Sequence, residues 1–191
     1  MRMKHPSVCE LFDYWTEQRG RRAMPERADI EPAAIRRALA DTFILSFEPA
    51  MGHPFRVAGT RVCALFGREI KGEGFLHLFS HAARRELREL IAIVAEESVG
   101  VVASASELSV TRRDPCLELL LLPLGCEGRG TARLLGVLAP SDPPHWLGRR
   151  ALGDLMLGSY RFVGRAGPPR AQMIPDRPVR PNLVVYEGGQ R

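Results

Sequence analysis

Lysine is almost missing from this chain: Lys4 and Lys71 are the only two, and the other 25 of 27 basic residues are arginine. Long apolar runs are missing too. The longest, Leu90 to Ala95 and Leu119 to Leu124, are six residues each, far below the about 20 needed to cross a bilayer. The basic start, Met1 to His5, leads straight into polar Ser7 and Glu10, so no secretory leader is visible. The four cysteines, Cys9, Cys63, Cys116 and Cys126, form no Cys-x-x-Cys pair and no zinc spacing. They read as buried or half-buried free thiols. Gly-x-Ser-x-Gly, phosphate-loop, His-Glu-x-x-His and aspartate-rich metal motifs are all absent. These absences point to a soluble, cytoplasmic protein that is not an enzyme.

What remains is an ordinary globular balance. The 191 residues are 45% hydrophobic and 26% charged, with a net charge of +5, enough for one cored domain and a remainder. The arginine skew resembles the codon usage of a GC-rich bacterial genome. Arginine pairs such as Arg84-Arg85 sit among acids, as in Arg84-Arg85-Glu86-Leu87-Arg88-Glu89. A solvated surface explains them better than a nucleic-acid footprint. A basic nucleic-acid-associated regulator, the alternative class, would want interleaved aromatics and a basic recognition helix. Neither is present.

Periodicity divides the chain into three parts. In residues 1–41, Val8, Leu11, Phe12 and Trp15 recur at helical spacing, and Gly20 ends the run. Glu31-Pro32 opens a second expected helix, closed at Asp41. Residues 42–164 then alternate strand and helix signals. Strands are expected at Thr42 to Glu48, Phe55 to Gly59, Val99 to Ser106, Cys116 to Leu124, Thr131 to Ala139 and Ser159 to Val163. Glu118 is expected to face outward, opposite Leu117, Leu119 and Leu121. Helices are expected at Thr60 to Phe66, at His81 to Glu97 behind the capping Ser80, and at Leu152 to Leu157. Residues 165–191 hold five prolines and five arginines and read as a disordered tail. The pattern is α+β, with helices crossing one face of an antiparallel sheet.

One stretch, Phe55-Arg56-Val57-Ala58-Gly59-Thr60-Arg61-Val62-Cys63-Ala64-Leu65-Phe66-Gly67-Arg68-Glu69-Ile70-Lys71-Gly72, resembles the part of PAS sensory domains where a strand feeds a helix ending Leu-Phe-Gly. Together with Leu157-Gly158-Ser159-Tyr160-Arg161-Phe162-Val163-Gly164-Arg165, it is similar to an alphaproteobacterial PAS subfamily formerly catalogued as a domain of unknown function. The resemblance covers Leu11 to Arg165. It implies a five-stranded antiparallel sheet with flanking helices and a ligand-sized cavity between them. It also implies work as a sensory or signalling adaptor, as a homodimer, with a partner such as a histidine kinase.

Candidate residues follow from that expectation. The cavity for a small apolar ligand would be lined by Phe66, Phe75, Leu78, Leu90, Ile91, Val94, Leu119, Leu121 and Leu134, with a packed core as the alternative. A haem iron would need His77 or His81. A histidine beside the capping Ser80 faces solvent more naturally, so haem is not expected. A flavin photoadduct needs a cysteine in an Asn-Cys-Arg-type segment, and Gly72 to Phe79 has none, which excludes it. Leu11, Phe12 and Trp15 form an aromatic stripe that would need cover, and a dimer interface is one way to supply it. In the tail, Leu183, Val184, Val185 and Tyr186 form the apolar cluster suited to a partner's groove or sheet edge.

Overall fold

The structure is a computed structural model that describes residues 3–107, 116–126, 131–141 and 150–164. Six strands make one antiparallel sheet: β1 Thr42–Ser46, β2 Phe55–Ala58, β3 Gly100–Glu107, β4 Cys116–Gly125, β5 Thr131–Pro140 and β6 Leu155–Val163. Their spatial order is β2-β1-β5-β4-β3-β6. The resemblance implied a five-stranded sheet; the sixth strand, which the residue pattern placed at Ser159 to Val163, starts earlier, at Leu155, and lies outside β3. The helices are α1 Pro6–Arg19, α2 Thr60–Phe66 and α3 His81–Glu97.

The sheet is covered on both faces, not one. Nine of the ten β4 residues are buried, because its apolar residues alternate between two separate cores. Leu117, Leu119 and Leu121 join α2 and α3 on one face. Leu120, Leu122 and Leu124 join α1 on the other. A continuous run of leucines is what two-sided burial requires. Pro123 is tolerated in this strand because β3 pairs only as far as Leu121, leaving no ladder donor to lose on that side.

Local chemistry sets the helix ends. The Ser80 hydroxyl accepts the Ala83 N–H at 3.4 Å and starts α3, and Ala83, Leu87, Leu90, Ile91 and Val94 form its buried stripe. At α1, Pro6 occupies the first turn and the His5 imidazole Nδ1 accepts the Ser7 N–H. Gly20 ends α1 with φ at 54°.

Several expectations are corrected. Residues 31–41 hold two short 3-10 turns, Pro32–Ile35 and Leu39–Asp41, in place of an α-helix. Thr42 Oγ1 bonds back to the Ala38 carbonyl at 2.8 Å, and Asp41 is fastened by distant side chains, so the chain turns into β1 there. Residues 155–157 are the start of β6, paired with β3, and not a helix. Glu118 is buried, not outward: its carboxylate accepts the backbone N–H groups of Lys4 and His5 at 2.7 to 3.1 Å. Cys116 and Cys126 are exposed, while Cys9 and Cys63 are half-buried. Among the described residues, no helix is long and apolar enough to cross a membrane.

Candidate functional site

Eight of the nine expected cavity residues come together in the α3-side core: Phe66, Phe75, Leu78, Ile91, Val94, Leu119, Leu121 and Leu134. Leu90 is buried but lies outside that cluster. Sequence reasoning named Phe75 but missed the three rings packed around it at the centre of the same core. Phe43, Phe55, Phe75 and Phe79 contact one another with ring centroids 5.3 to 5.8 Å apart. The signal was present in Gly136, which faces Phe43 across the β1–β5 ladder. A Cβ there would fall onto the Phe43 ring, so the glycine makes room for it. His77 and His81 are both exposed.

The stripe of α1 is occupied within its own chain. Leu11 and Trp15 are fully buried against the sheet, and Phe12 is half-buried beside them. The Trp15 indole N–H donates to the Pro123 carbonyl at 2.9 Å, and the Arg19 guanidinium lies over the Trp15 ring. These side chains therefore leave no uncovered stripe for a second copy, which removes the physical motive for the dimer interface expected there. Leu183, Val184, Val185 and Tyr186 lie outside the described residues.

A polar network ties α1 to α2 around the edge of the sheet. Asp41 is 1% exposed. Its carboxylate accepts the Ser7 hydroxyl at 2.6 Å, and Arg61 Nε and Nη2 at 2.6 Å each. Two-point gripping of this kind fixes the guanidinium plane as well as its position. The Asp41 hydrogen bonds hold the Arg61 guanidinium above its ordinary range, against a smaller effect of burial. About half of the Arg61 side chain stays exposed, on a cleft of about 690 Å³. The first turn of α1, Arg37, Asp41, Arg61 and Pro140 line it.

This network was not foreseen, because its members stand at positions 7, 41 and 61 with no motif between them. Their roles differ. Ser7 belongs to α1, which packs on one face, and Arg61 is followed by Val62, Leu65 and Phe66, which pack into the core of the other. The network therefore joins the two faces of the sheet. Other arginines are neutralised locally, in the pairs Arg22–Asp29, Arg56–Glu48, Arg68–Glu73, Arg85–Glu89 and Arg150–Glu107.

One further buried group stands apart. His53 is 1% exposed, has φ at 59°, and its Nδ1 is buried without a hydrogen-bond partner among the described residues. Its ring lies 5.3 Å from that of Phe47. Burial lowers its pKa, partly opposed by a bond to the Ser46 backbone.

A model of the PAS domain family matches residues 3–139, most of the chain. The chain belongs to the PAS domain family. The matched stretch takes in α1 and ends before β6, so this PAS domain, a sensory domain, includes its N-terminal helix. No curated protein matches the chain. Among solved structures, the chain is similar to one described as an RNA-binding light-oxygen-voltage receptor, at 15% identity and a TM-score of 0.45. That match covers 62% of this chain and 34% of the other, so the chain spans about a third of that receptor's length. A likeness of that degree says nothing about ligand or partner.

Proposed function

We propose that this PAS domain is a non-enzymatic signalling adaptor that answers a change in its α3-side core by altering how α1 is held. The observation that carries this reading is the Ser7–Asp41–Arg61 network. It connects a helix rooted in that core to a helix on the opposite face. The output is contact with another protein, made by the surface around α1 and the cleft.

The input is a small apolar ligand admitted among Phe66, Phe75, Ile91 and Leu121. Those side chains are at most 3% exposed, so a ligand must repack them, and repacking moves α2 because Val62, Leu65 and Phe66 are part of the same core. Close-packed interiors transmit such strain and do not absorb it locally. A shift of α2 carries Arg61, and Arg61 carries Asp41 and the first turn of α1.

Titrating the purified chain with indole, as a small apolar probe, while recording backbone amide NMR spectra tests the input. The expected result is saturable shifts within Thr60–Phe66 and His81–Glu97. Absence of shifts in those two helices at millimolar indole overturns the ligand-gated reading.

A further inference from the structure

His53 is held in an uncommon backbone conformation by bonds on both sides. Its φ is 59°, in the left-handed region, which residues other than glycine seldom adopt. Its N–H donates to the Glu48 carbonyl at 3.0 Å, and its carbonyl accepts the Phe75 N–H at 3.1 Å. The second bond ties it to the aromatic centre of the α3-side core, since the Phe75 ring packs against Phe43, Phe55 and Phe79. Phe47, whose ring lies 5.3 Å from the imidazole, packs against the same core. Strained positions fixed in this way gather at ligand clamps and active sites.

The chemistry of the ring follows from its neighbours. Its hydrogen bond to the Ser46 backbone goes to the carbonyl, because the Ser46 N–H already donates to the Pro54 carbonyl at 2.9 Å. Nδ1 has no partner among the described residues, so Nε2–H makes that bond. Burial, and to a smaller degree the Arg88 charge, disfavour a second proton, opposed by Ser46 and Glu48. The ring is therefore neutral, protonated on Nε2, with a lone pair on Nδ1. His53 is 1% exposed, and an acceptor buried without a donor is costly. No three His, Cys, Asp or Glu side chains gather to hold a metal ion among the described residues. A hydrogen-bond donor is what the position lacks.

We infer that His53 reads the ligand of the α3-side core, its Nδ1 accepting one hydrogen bond from a small aromatic molecule that carries an N–H or O–H group. This rests on the ligand-gated reading proposed above and names the class of ligand. The phenylalanine rings supply apolar, aromatic walls, and His53 supplies the polar anchor, the usual division of roles in a small-molecule site. A ligand with a donor relieves the buried acceptor. A ligand of the same shape with an oxygen in place of the donor leaves it unpaired and sets two lone pairs against each other.

Titrating the ¹⁵N-labelled full chain with indole and, in parallel, with benzofuran tests this, because benzofuran has the same shape with oxygen in place of N–H. Amide shifts of Thr60–Phe66 and His81–Glu97 give the two affinities, and the imidazole ¹⁵N resonances report on Nδ1 directly. Indole should bind about tenfold more tightly than benzofuran, and should move the His53 Nδ1 resonance upfield where benzofuran does not. In His53→Gly, which suits the left-handed backbone, the two affinities should agree within about twofold. Equal affinities in the wild type, an unmoved Nδ1 resonance with indole bound, or a preference that survives in His53→Gly overturns the inference and leaves the ligand-gated reading standing. If His53→Gly does not fold, the wild-type affinities and Nδ1 resonance decide. Absence of shifts in both helices with either probe overturns the inference together with the reading it rests on.

Discussion

Arg61 holds both oxygens of the buried Asp41 carboxylate at 2.6 Å, and through that one group the two faces of the sheet are joined. Ser7 completes the arrangement from α1, so Asp41 is shared by side chains from two helices that pack into different cores. Removing Asp41 strands both partners; removing Ser7 leaves the ion pair intact. Ser7→Ala should therefore cost about 1 kcal/mol and Asp41→Ala about 2 to 4, since burial of the acceptor raises the penalty while exposure of Arg61 limits it. Urea unfolding at pH 7.5 measures both, and equal losses would contradict the shared-acceptor arrangement.

Trp15 anchors α1 through its ring and its N–H together. Trp15→Ala should lower stability by about 3 to 5 kcal/mol, read from chemical denaturation. Trp15→Phe keeps most of the packing but leaves the Pro123 carbonyl without its donor, and should cost clearly less. Native mass should be the same for the wild type and Trp15→Phe, because the residue is covered within its own chain.

Gly136 and Phe43 form a size-matched pair across β1 and β5. Gly136→Ala should destabilise by about 1 to 3 kcal/mol through overpacking. Adding Phe43→Leu should recover part of that loss. A double-mutant cycle with no coupling between the two would show that the clash is relieved elsewhere.

His53 makes stability depend on pH. Its folded pKa lies below the ordinary value of 6.5 because burial disfavours the charged ring. The unfolded chain therefore takes up the proton first as pH falls. The stability His53 contributes is complete above about pH 6.5 and is lost as pH drops from there toward the folded pKa. His53→Asn suits the left-handed backbone and does not titrate. The wild type should lose more stability than His53→Asn between pH 7.5 and 5.5. Parallel losses in the two proteins would remove His53 as the cause.

The local parts of this fold were legible because their causes are local. Ser80 and the apolar stripe behind it mark α3 from His81 to Glu97, and β-branched or leucine-rich runs mark the strands. The core residues were legible too, since eight of the nine named share one cluster. What failed depended on partners distant in sequence. Glu118 reads as a surface residue until Lys4 and His5 bring their N–H groups to it. Residues 155–157 carry a helical spacing, yet β3 recruits them as a strand. Asp41 reads as a helix end, and its function as the junction between Ser7 and Arg61 has no trace in spacing. The unbroken run Leu119 to Leu122 did carry a usable sign, because a strand apolar on both sides needs cover on both faces.

The central claim is that the core and α1 communicate through Arg61, and amide exchange of α1 with and without indole tests it most directly. In the wild type, saturating indole should change exchange across Pro6–Arg19. In Arg61→Gln, the same indole should still shift Thr60–Phe66 in NMR spectra while leaving the exchange of α1 unchanged. If α1 responds equally in both proteins, or does not respond in the wild type while indole occupies the core, the coupling account is contradicted.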